Sequence, residues 1–513
     1  MFMRFLGLCF VIAAAGLTAG AQQPNPSQPG TKRRIHDIPT RGMLSGTLRS
    51  ESAPRPRIDT TGRSLELPSV WATDPANGAQ YRRGQVLVKF RANTNIAART
   101  RALQSAGGRI TRTLPVGWNL VELTDADTAQ GLRALRGRPE VLSVSFNYRR
   151  RAHQVRPNDE FFGLQWNFDA INMPLAWQIN PGGRNDVIVA VIDSGLNTVT
   201  DTIVFTSPIV QQVPMRFAEV PDLVAPGRIA SPRDFIYNDD LPVDLDGHGT
   251  HVAGTVGQQT NNNIGLAGVA YSVRLMPLKV LPGDWDLIFA DDPGGTDDII
   301  ADAIRYAADN GAKVINLSLG GPGEGPILRD ALQYALERGT FAAIAAGNSG
   351  DEGNPEDYPA AYARELRGVM AVGAVTRDLR HASYSSFHPY VEICAPGGES
   401  LVPFDFERAV TQVGYDPGAT LEFLDVFEKA SALIMGLRPQ FDQFEAVPLH
   451  GTSMATPHVS GVAALLSSQG ISSPGAIEEA IRRFAQPINA TANQCGTGLV
   501  DARRALRGLG LAR

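Results

Sequence analysis

Cysteine is scarce in this chain: three residues in 513, at positions 9, 394 and 495. That excludes a disulfide-built scaffold and any cysteine-rich metal module. Long apolar runs are lacking too. The stretch in "MFMRFLGLCFVIAAAGLTAGA" is too short for a comfortable membrane span, and no later segment is long enough. There are no internal repeats, which excludes a solenoid or propeller. Charged residues make up only 19% against 43% hydrophobic ones, so wholesale disorder is excluded and a sizeable core is available, in two or three domains.

What is present begins with the opening stretch. Arg4 precedes the apolar run, and small residues at Ala19 and Ala21 end it. This pattern predicts a secretory signal over 1–21, hence a mature protein that is secreted, extracellular or periplasmic, with no membrane contact after signal removal. Cys9 leaves with the signal. Cys394 and Cys495 are then expected to form one disulfide, two free buried thiols being the alternative.

Net charge is −5, but unevenly spread. Residues 22–157 hold 23 Lys and Arg against 9 Asp and Glu; residues 158–513 hold 23 against 43. The arginines of the first part are scattered rather than gathered on one element, so no nucleic-acid partner is expected.

Composition and periodicity divide the chain. Residues 22–79, rich in Pro, Arg, Ser and Thr, read as a disordered spacer. From 80 to 150 the pattern becomes β-α-β-β-α-β, which predicts a small α+β, ferredoxin-like domain. The joint "RRRAHQVRPND" follows. From 158 to 513 continuous apolar runs ("DVIVAVIDSG", "RLMPLKVL", "KVINLSLGG", "FAAIAAGN", "VMAVGAV", "VEICAPGG") alternate with helical patterns such as 297–310 and 326–338. Such runs predict strands buried on both faces. The expected fold class is therefore α/β, a doubly wound, mostly parallel sheet with helices on both faces. In such sheets functional residues gather at the C-terminal strand ends.

Polar clusters occupy those ends. "VIDSG" places Asp193 at the tail of the first strand, "LDGHGTHVAG" carries His248 and His251 into a helix, and "AAGNSG" places Asn348 at another strand tail. "LHGTSMATPHVSGVAALL" puts Ser453 at the start of a buried helix, with Pro457 in its first turns. A helix cap explains Thr452 or Ser453 alone. Together, an acid, an imidazole, an amide and a hydroxyl are the groups acyl transfer needs. The imidazole takes the hydroxyl proton, the carboxylate fixes the tautomer, and the amide donates to the developing oxyanion. His248 and His251 lack the spacing and flanking Glu of a zinc protease. The serine motif, Gly-Thr-Ser-Met-Ala, is not the Gly-x-Ser-x-Gly of a lipase or esterase.

"VAVIDSG", "DGHGTHVAG" and "GTSMATPHVSG" resemble the three active-site motifs of the subtilisin-like serine proteases, in that family's order, and "SLGG" and "AAGN" resemble two more of its segments. The resemblance covers about 158–508, and 80–148 looks like the family's inhibitory propeptide. It implies a serine endopeptidase made as a self-processing zymogen, without a catalytic cofactor. Asp193, His248 and Ser453 would be the triad and Asn348 the oxyanion donor. Ser318, Leu319 and Gly320 would bind extended substrate, and Ala345, Ala346 and Gly347 would line the specificity pocket. The implied partners are protein and peptide substrates and the chain's own propeptide, acting as intramolecular inhibitor and folding aid on a monomer. "TNNNIGLAG" (260–268) resembles the family's loop for a structural calcium ion, with Asn262, Ile264, Leu266, Asp201 and Asp159 as the implied ligands. The spacing after Asp193 is one residue short of the family pattern.

Two segments depart from the family. Residues 399–447 are a long, partly helical insertion expected to cover the cleft or mediate contacts. Residues 281–298 form an acidic loop expected to rim the cleft with Asp284, Asp286, Asp291 and Asp292, and to favour basic side chains upstream of the cut.

Overall fold

Along the run Ile188–Asp193 every side chain is buried, yet successive residues enter different cores. Val189 and Val191 belong to one apolar cluster; Ile188, Ala190 and Ile192 belong to another. A strand sends alternate side chains to opposite faces, so an unbroken apolar run marks a sheet covered on both sides.

The computed structural model describes residues 71–76, 78–124, 128–148, 156–206, 212–400 and 402–508. The expected signal peptide, the spacer as far as residue 70, and Arg149, Arg150 and Arg151 lie outside the described residues. The chain divides into two units between Gln154 and Val155.

In the smaller unit the central strand Gln80–Phe90 pairs antiparallel with Trp118–Leu123 and with Val141–Tyr148, and Gly108–Thr113 pairs with Trp118–Leu123. Val86, Val88 and Phe90 alternate inward and meet Val121, Leu123, Val144 and Phe146. The helices Ile96–Gln104 and Thr128–Arg136 add Leu103, Leu132 and Leu135 to this core. The β-α-β-β-α-β order is as expected, but the unit starts earlier. Trp71–Thr73 adds a further strand against Gln80–Phe90, within the segment read as spacer.

The larger unit is built on seven strands: β1 Ile188–Asp193, β2 Arg233–Asp234, β3 Arg274–Lys279, β4 Val314–Leu317, β5 Phe341–Ala345, β6 Val369–Val375 and β7 Val391–Pro396. All pairs are parallel, in the spatial order β7-β6-β5-β4-β1-β3-β2. The main helices are α1 His248–Gly257, α2 Asp297–Asp309, α3 Pro326–Glu337, α4 Val426–Ile434, α5 Thr452–Ser468 and α6 Pro474–Arg483. Helices α2 and α3 supply Ile300, Ile304, Leu328 and Leu332 to one core; α5 and α6 supply Val459, Val462, Leu465 and Ile477 to the other. The chain runs from β1 out to β2 and β3, then returns to β4 on the other side of β1. That reversal opens a crevice at the C-terminal ends of β1, β4 and β5.

The insertion starts from an antiparallel ribbon, Val410–Tyr415 with Phe444–Leu449, and carries α4 between its strands. A disulfide joins Cys394 on β7 to Cys495.

Candidate active site

Asp193 is the last residue of β1, in register with Lys279 of β3. Its side chain is wholly buried. Oδ1 accepts the Ser194 N–H at 2.8 Å and lies 2.7 Å from His248 Nδ1, while Oδ2 is buried without a hydrogen-bond partner. His248 is the first residue of α1, and the start of that helix is fixed by Asp244. This buried carboxylate accepts the N–H groups of Asp246 at 3.0 Å, Gly247 at 2.8 Å and Thr250 at 2.9 Å, and the Thr250 hydroxyl at 2.6 Å. It thereby satisfies donors that a helix start leaves free. The Ser194 hydroxyl donates to Asp244 at 3.0 Å and accepts the Gly249 N–H at 2.8 Å, which ties the end of β1 to α1. Asp244 was not singled out from the sequence.

Burial lowers the proton affinity of His248, but the Asp193 carboxylate, with Asp246 and Asp244 behind it, outweighs burial and raises the imidazole pKa to about 9. With Nδ1–H directed at Asp193, Nε2 is the atom left to exchange a proton. His251, one turn on, faces away. Its Nε2 lies 3.2 Å and 3.1 Å from the carbonyl oxygens of Val410 and Val447 in the ribbon, and burial drops its pKa to about 3. It is a neutral donor that binds the ribbon to α1, so the base of the insertion packs behind the histidine helix.

Ser453 is the second residue of α5, which packs on α1. Gly451 precedes the helix at φ 154° and ψ 164°, a backbone region that residues with a Cβ rarely adopt. Asn348 lies three residues beyond β5. Its Oδ1 accepts both the Thr452 N–H at 2.9 Å and the Thr452 hydroxyl at 2.8 Å, so the cap of α5 comes from Asn348 and not from Thr452 or Ser453. Two donors on Oδ1 fix the amide orientation and leave Nδ2 free to donate elsewhere. A methyl group placed on Gly451 would stand 3.5 Å from Asn348 Nδ2 and 3.6 Å from Ser453 N, so both donors face the same space.

Pro457 sits in the second turn of α5. It has no N–H for the carbonyl of Ser453, four residues before it. The Ser318 hydroxyl fills that role, donating to Ser453 O at 2.9 Å. The Ser453 hydroxyl in turn donates to Ser318 O at 3.2 Å. Asn316 bridges from β4 to Ser318 at 3.0 Å and to Ser460 of α5 at 2.8 Å. His458 is locked between Met454 O and Asn167, with its pKa pushed down to about 4 by burial. Helix α5, which carries Ser453, is thus held against β4 by buried polar bonds.

Of the expected substrate-contacting residues, Leu319 and Ala346 turn their side chains into a core. Only their backbone can line the crevice, together with Ser318, Gly320, Ala345 and Gly347.

The calcium-loop residues are partly assembled. Asp159 accepts the N–H groups of Asn261 at 2.9 Å and Asn262 at 3.1 Å, and Asn262 Oδ1 accepts the Ile264 N–H at 3.0 Å. Asp201 is exposed on the hairpin Asp201–Phe205/Val213–Phe217 with its carboxylate on the Thr202 N–H, and no bond ties it to the loop among the described residues. Asp222 is there instead, 2.6 Å from Asn262 Nδ2. Burial, aided by the nearby Asp159 charge, raises the Asp222 pKa to about 7, and burial raises Asp159 as well. Two desolvated carboxylates around one amide form an oxygen-donor set that fits a hard cation. No cluster of three or more His, Cys, Asp or Glu suited to a metal occurs among the described residues.

The acidic loop differs from expectation. Asp286 is fully buried, 2.8 Å from Lys279 Nζ, and Asp284 pairs at 2.8 Å with Lys429 of α4. Of the four aspartates placed on a rim, Asp291 and Asp292 remain exposed.

Residues 184–498 match the Subtilase family, and residues 69–147 match the Fervidolysin N-terminal prodomain. A thermophilic serine proteinase of Bacillus sp. (strain AK1) is 31% identical over 83% of this chain and 88% of its own length. Thermitase of Thermoactinomyces vulgaris is 32% identical over 68% of this chain and 99% of its own. Among solved structures, a protease of Pseudoalteromonas arctica PAMC 21717 superposes with a TM-score of 0.53 at 29% identity, covering 69% of this chain and 99% of that one.

Proposed function

Because the chain belongs to the subtilase family of serine proteases, we propose that it is a secreted endopeptidase made as a self-cleaving zymogen, with Ser453 as nucleophile, His248 as general base and acid, Asp193 as its orienting carboxylate, and Asn348 with the Ser453 N–H as oxyanion donors. The observation that carries this reading is the bond between His248 Nδ1 and Asp193 Oδ1 at the end of β1, beside the helix that presents Ser453.

A peptide lies along Ser318–Gly320 with its carbonyl oxygen toward Asn348 Nδ2 and Ser453 N. The Ser453 hydroxyl leaves Ser318 O, gives its proton to His248 Nε2, and Oγ bonds to the carbonyl carbon. The oxyanion takes hydrogen bonds from the two donors at the positive end of α5. His248 then protonates the departing amine, and the C–N bond breaks. A water, deprotonated by His248, repeats the attack and frees the acid and Ser453.

The N-terminal unit is the inhibitory propeptide of the same reading, supported by its match to a prodomain. Export rests on the sequence of residues 1–21; no helix among the described residues is long and apolar enough to cross a membrane. A calcium ion would be held by Asp159, Asp222 and Asn262 with the carbonyl oxygens of Ile264 and Leu266. It would neutralise the carboxylates and brace the loop.

The test is labelling with a fluorophosphonate, together with Ser453→Ala. The wild type should take label at Ser453, and the variant should remain an uncleaved precursor. Absence of label in a folded protein, or normal processing of the purified variant with no other protease present, would sink the reading.

A further inference from the structure

Asp357 is a half-buried carboxylate that neither the triad nor the oxyanion site uses. It forms no ion pair among the described residues, and its Oδ1 is buried without a hydrogen-bond partner. Burial with no neighbouring cation pushes its pKa up to about 7. A charge so placed is unfavourable in the free protein unless a partner arrives.

Its location says where that partner would come from. The segments leaving β4 and β5 run side by side, as Leu317 and Ile344 pair in register. One continues through Ser318 to Gly320 and the other through Gly347 to Asn348. Gly321 exchanges backbone hydrogen bonds with Tyr358 at 2.9 and 2.7 Å, which closes the far end of the gap with the Asp357 segment. The carboxylate itself reaches between the two glycines. A methyl group on Gly320 would collide with Asp357 Oδ1, and one on Gly347 would stand 2.8 Å from Oδ2.

A substrate carbonyl must place its carbon over Ser453 Oγ and its oxygen at Asn348 Nδ2. Ser453 Oγ is 3.2 Å from Ser318 O, so the residue bearing that carbonyl lies between the Ser318–Gly320 and Gly347–Asn348 segments. Its side chain enters the gap that ends at Asp357. The absence of side chains at Gly320 and Gly347 is what lets the carboxylate stand at the end of that gap, where a long side chain entering from the Ser453 side would meet it.

We propose that Asp357 is the specificity-determining residue of this protease, and that its carboxylate receives the guanidinium or ammonium of an Arg or Lys immediately upstream of the scissile bond. This rests on the serine-endopeptidase reading and deepens it by naming the substrate class. A basic side chain supplies the counter-charge and the donors the carboxylate lacks; an aliphatic or aromatic one leaves it unpaired and desolvated. The chain's own sequence offers candidates of this kind, Arg149, Arg150, Arg151 and Arg156 of the segment "RRRAHQVRPND".

The experiment measures kcat/KM of the mature enzyme on peptides that differ only in the residue before the cut: Arg, Lys, Met and Phe. Arg and Lys should exceed Met and Phe by about 10²-fold, the range open to a site that ion-pairs its substrate. Asp357→Asn should lower the Arg and Lys values by about 10²-fold or more while leaving Met and Phe within roughly threefold. Asn matches the shape of Asp and breaks no ion pair, so the variant should fold; fluorophosphonate labelling of Ser453 checks this. Asp357→Glu should retain a preference for basic residues. A wild type that takes label yet cuts after Met or Phe as well as after Arg overturns the proposal and leaves the protease reading intact. An Asp357→Asn variant that loses activity equally on all four peptides also overturns it, since that pattern marks a structural role. A wild type that takes no label defeats both.

Discussion

Replacing Asp193 with Asn separates two roles of the carboxylate, charge and orientation. Oδ1 accepts the Ser194 N–H and lies against His248 Nδ1, while Oδ2 has no partner. An Asn side chain therefore has reason to keep its oxygen at the Oδ1 position, and with it the tautomer of His248. What disappears is the charge. The imidazole is raised from 6.5 to about 9, chiefly by Asp193 against the opposing pull of burial. At 1.36 kcal/mol per pH unit, that support amounts to roughly 3 kcal/mol, or about 300-fold in the stability of the imidazolium that forms during attack. Asp193→Asn should lower the alkaline plateau of kcat/KM by about 10²–10³-fold and move its acid limb from near 9 to about 6.5 or below. At pH 7 only about one wild-type molecule in a hundred has the neutral imidazole that the reaction needs, whereas most variant molecules do. The ratio of wild type to variant should thus fall from hundreds at pH 10 to a few at pH 7. The assay is a kcat/KM profile from pH 6 to 10.5 on one peptide, with protein integrity checked at each pH. A ratio that stays constant across that range would refute the electrostatic argument. A loss near 10⁴-fold at every pH would show that Ser194 does not hold the amide in place.

Asn348→Ala should fold and lose about 10²–10³-fold in kcat with KM little changed, the size known for the corresponding donor in subtilisin and carried over from it; a change confined to KM would contradict the oxyanion role. Removing the Cys394–Cys495 bridge, which closes a separation of 101 residues, should cost on the order of 4 kcal/mol in the chain-entropy account, read as a lower denaturant midpoint; an unchanged midpoint would refute that account. A calcium chelator should lower the thermal midpoint of the wild type but not of Asp222→Asn. In the chelated protein Asp222 holds its proton up to about 7 when folded against 3.8 as the unperturbed reference, so its contribution favours folding below pH 3.8 and is lost as pH rises through 7. Calcium should restore that loss, and equal chelator sensitivity of wild type and variant would count against the site.

The parallel sheet was legible because its strands are covered on both faces. "VIVAVID", "FAAIA" and "VMAVGAV" read as continuous apolar runs, and the residues just after them read as chemistry. β2 was not legible, since Arg233–Asp234 is two residues long and polar and is recognised only by its pairing with β3. The candidate catalytic residues were picked out by their motifs; what holds them was not. The cap of α5 comes from Asn348, 104 residues earlier, and the donor that replaces the missing Pro457 N–H comes from Ser318, 135 residues before Ser453. Asp222 and Asp357 sit in stretches without a motif, and burial alone gives their carboxylates meaning. No periodicity in the sequence carries that information.

Charge shows the same limit from another side. Counting aspartates in 281–298 suggests a negative rim, yet a count cannot tell a solvated carboxylate from a paired one. Asp286 is buried against Lys279, whose Nζ also donates to Ser194 O at 2.9 Å, one residue beyond Asp193. Asp284 and Glu422 pair with Lys429, which is buried with its ammonium 5.7 Å from the Trp285 ring centre. The Trp285 N–H reaches Thr420 O at 3.2 Å. The acidic loop and the insertion, both departures from the family pattern, are therefore bolted to one another and to the end of β1. A buried ion pair contributes little net stability over an apolar substitute, but losing one partner leaves a charge stranded in the core. Two of the four aspartates that looked like a substrate rim, Asp284 and Asp286, instead help hold the loop and insertion to the strand that carries Asp193. Among the described residues, a carboxylate without an ion pair beside the Ser318–Gly320 segment lies elsewhere, at Asp357 between Gly320 and Gly347.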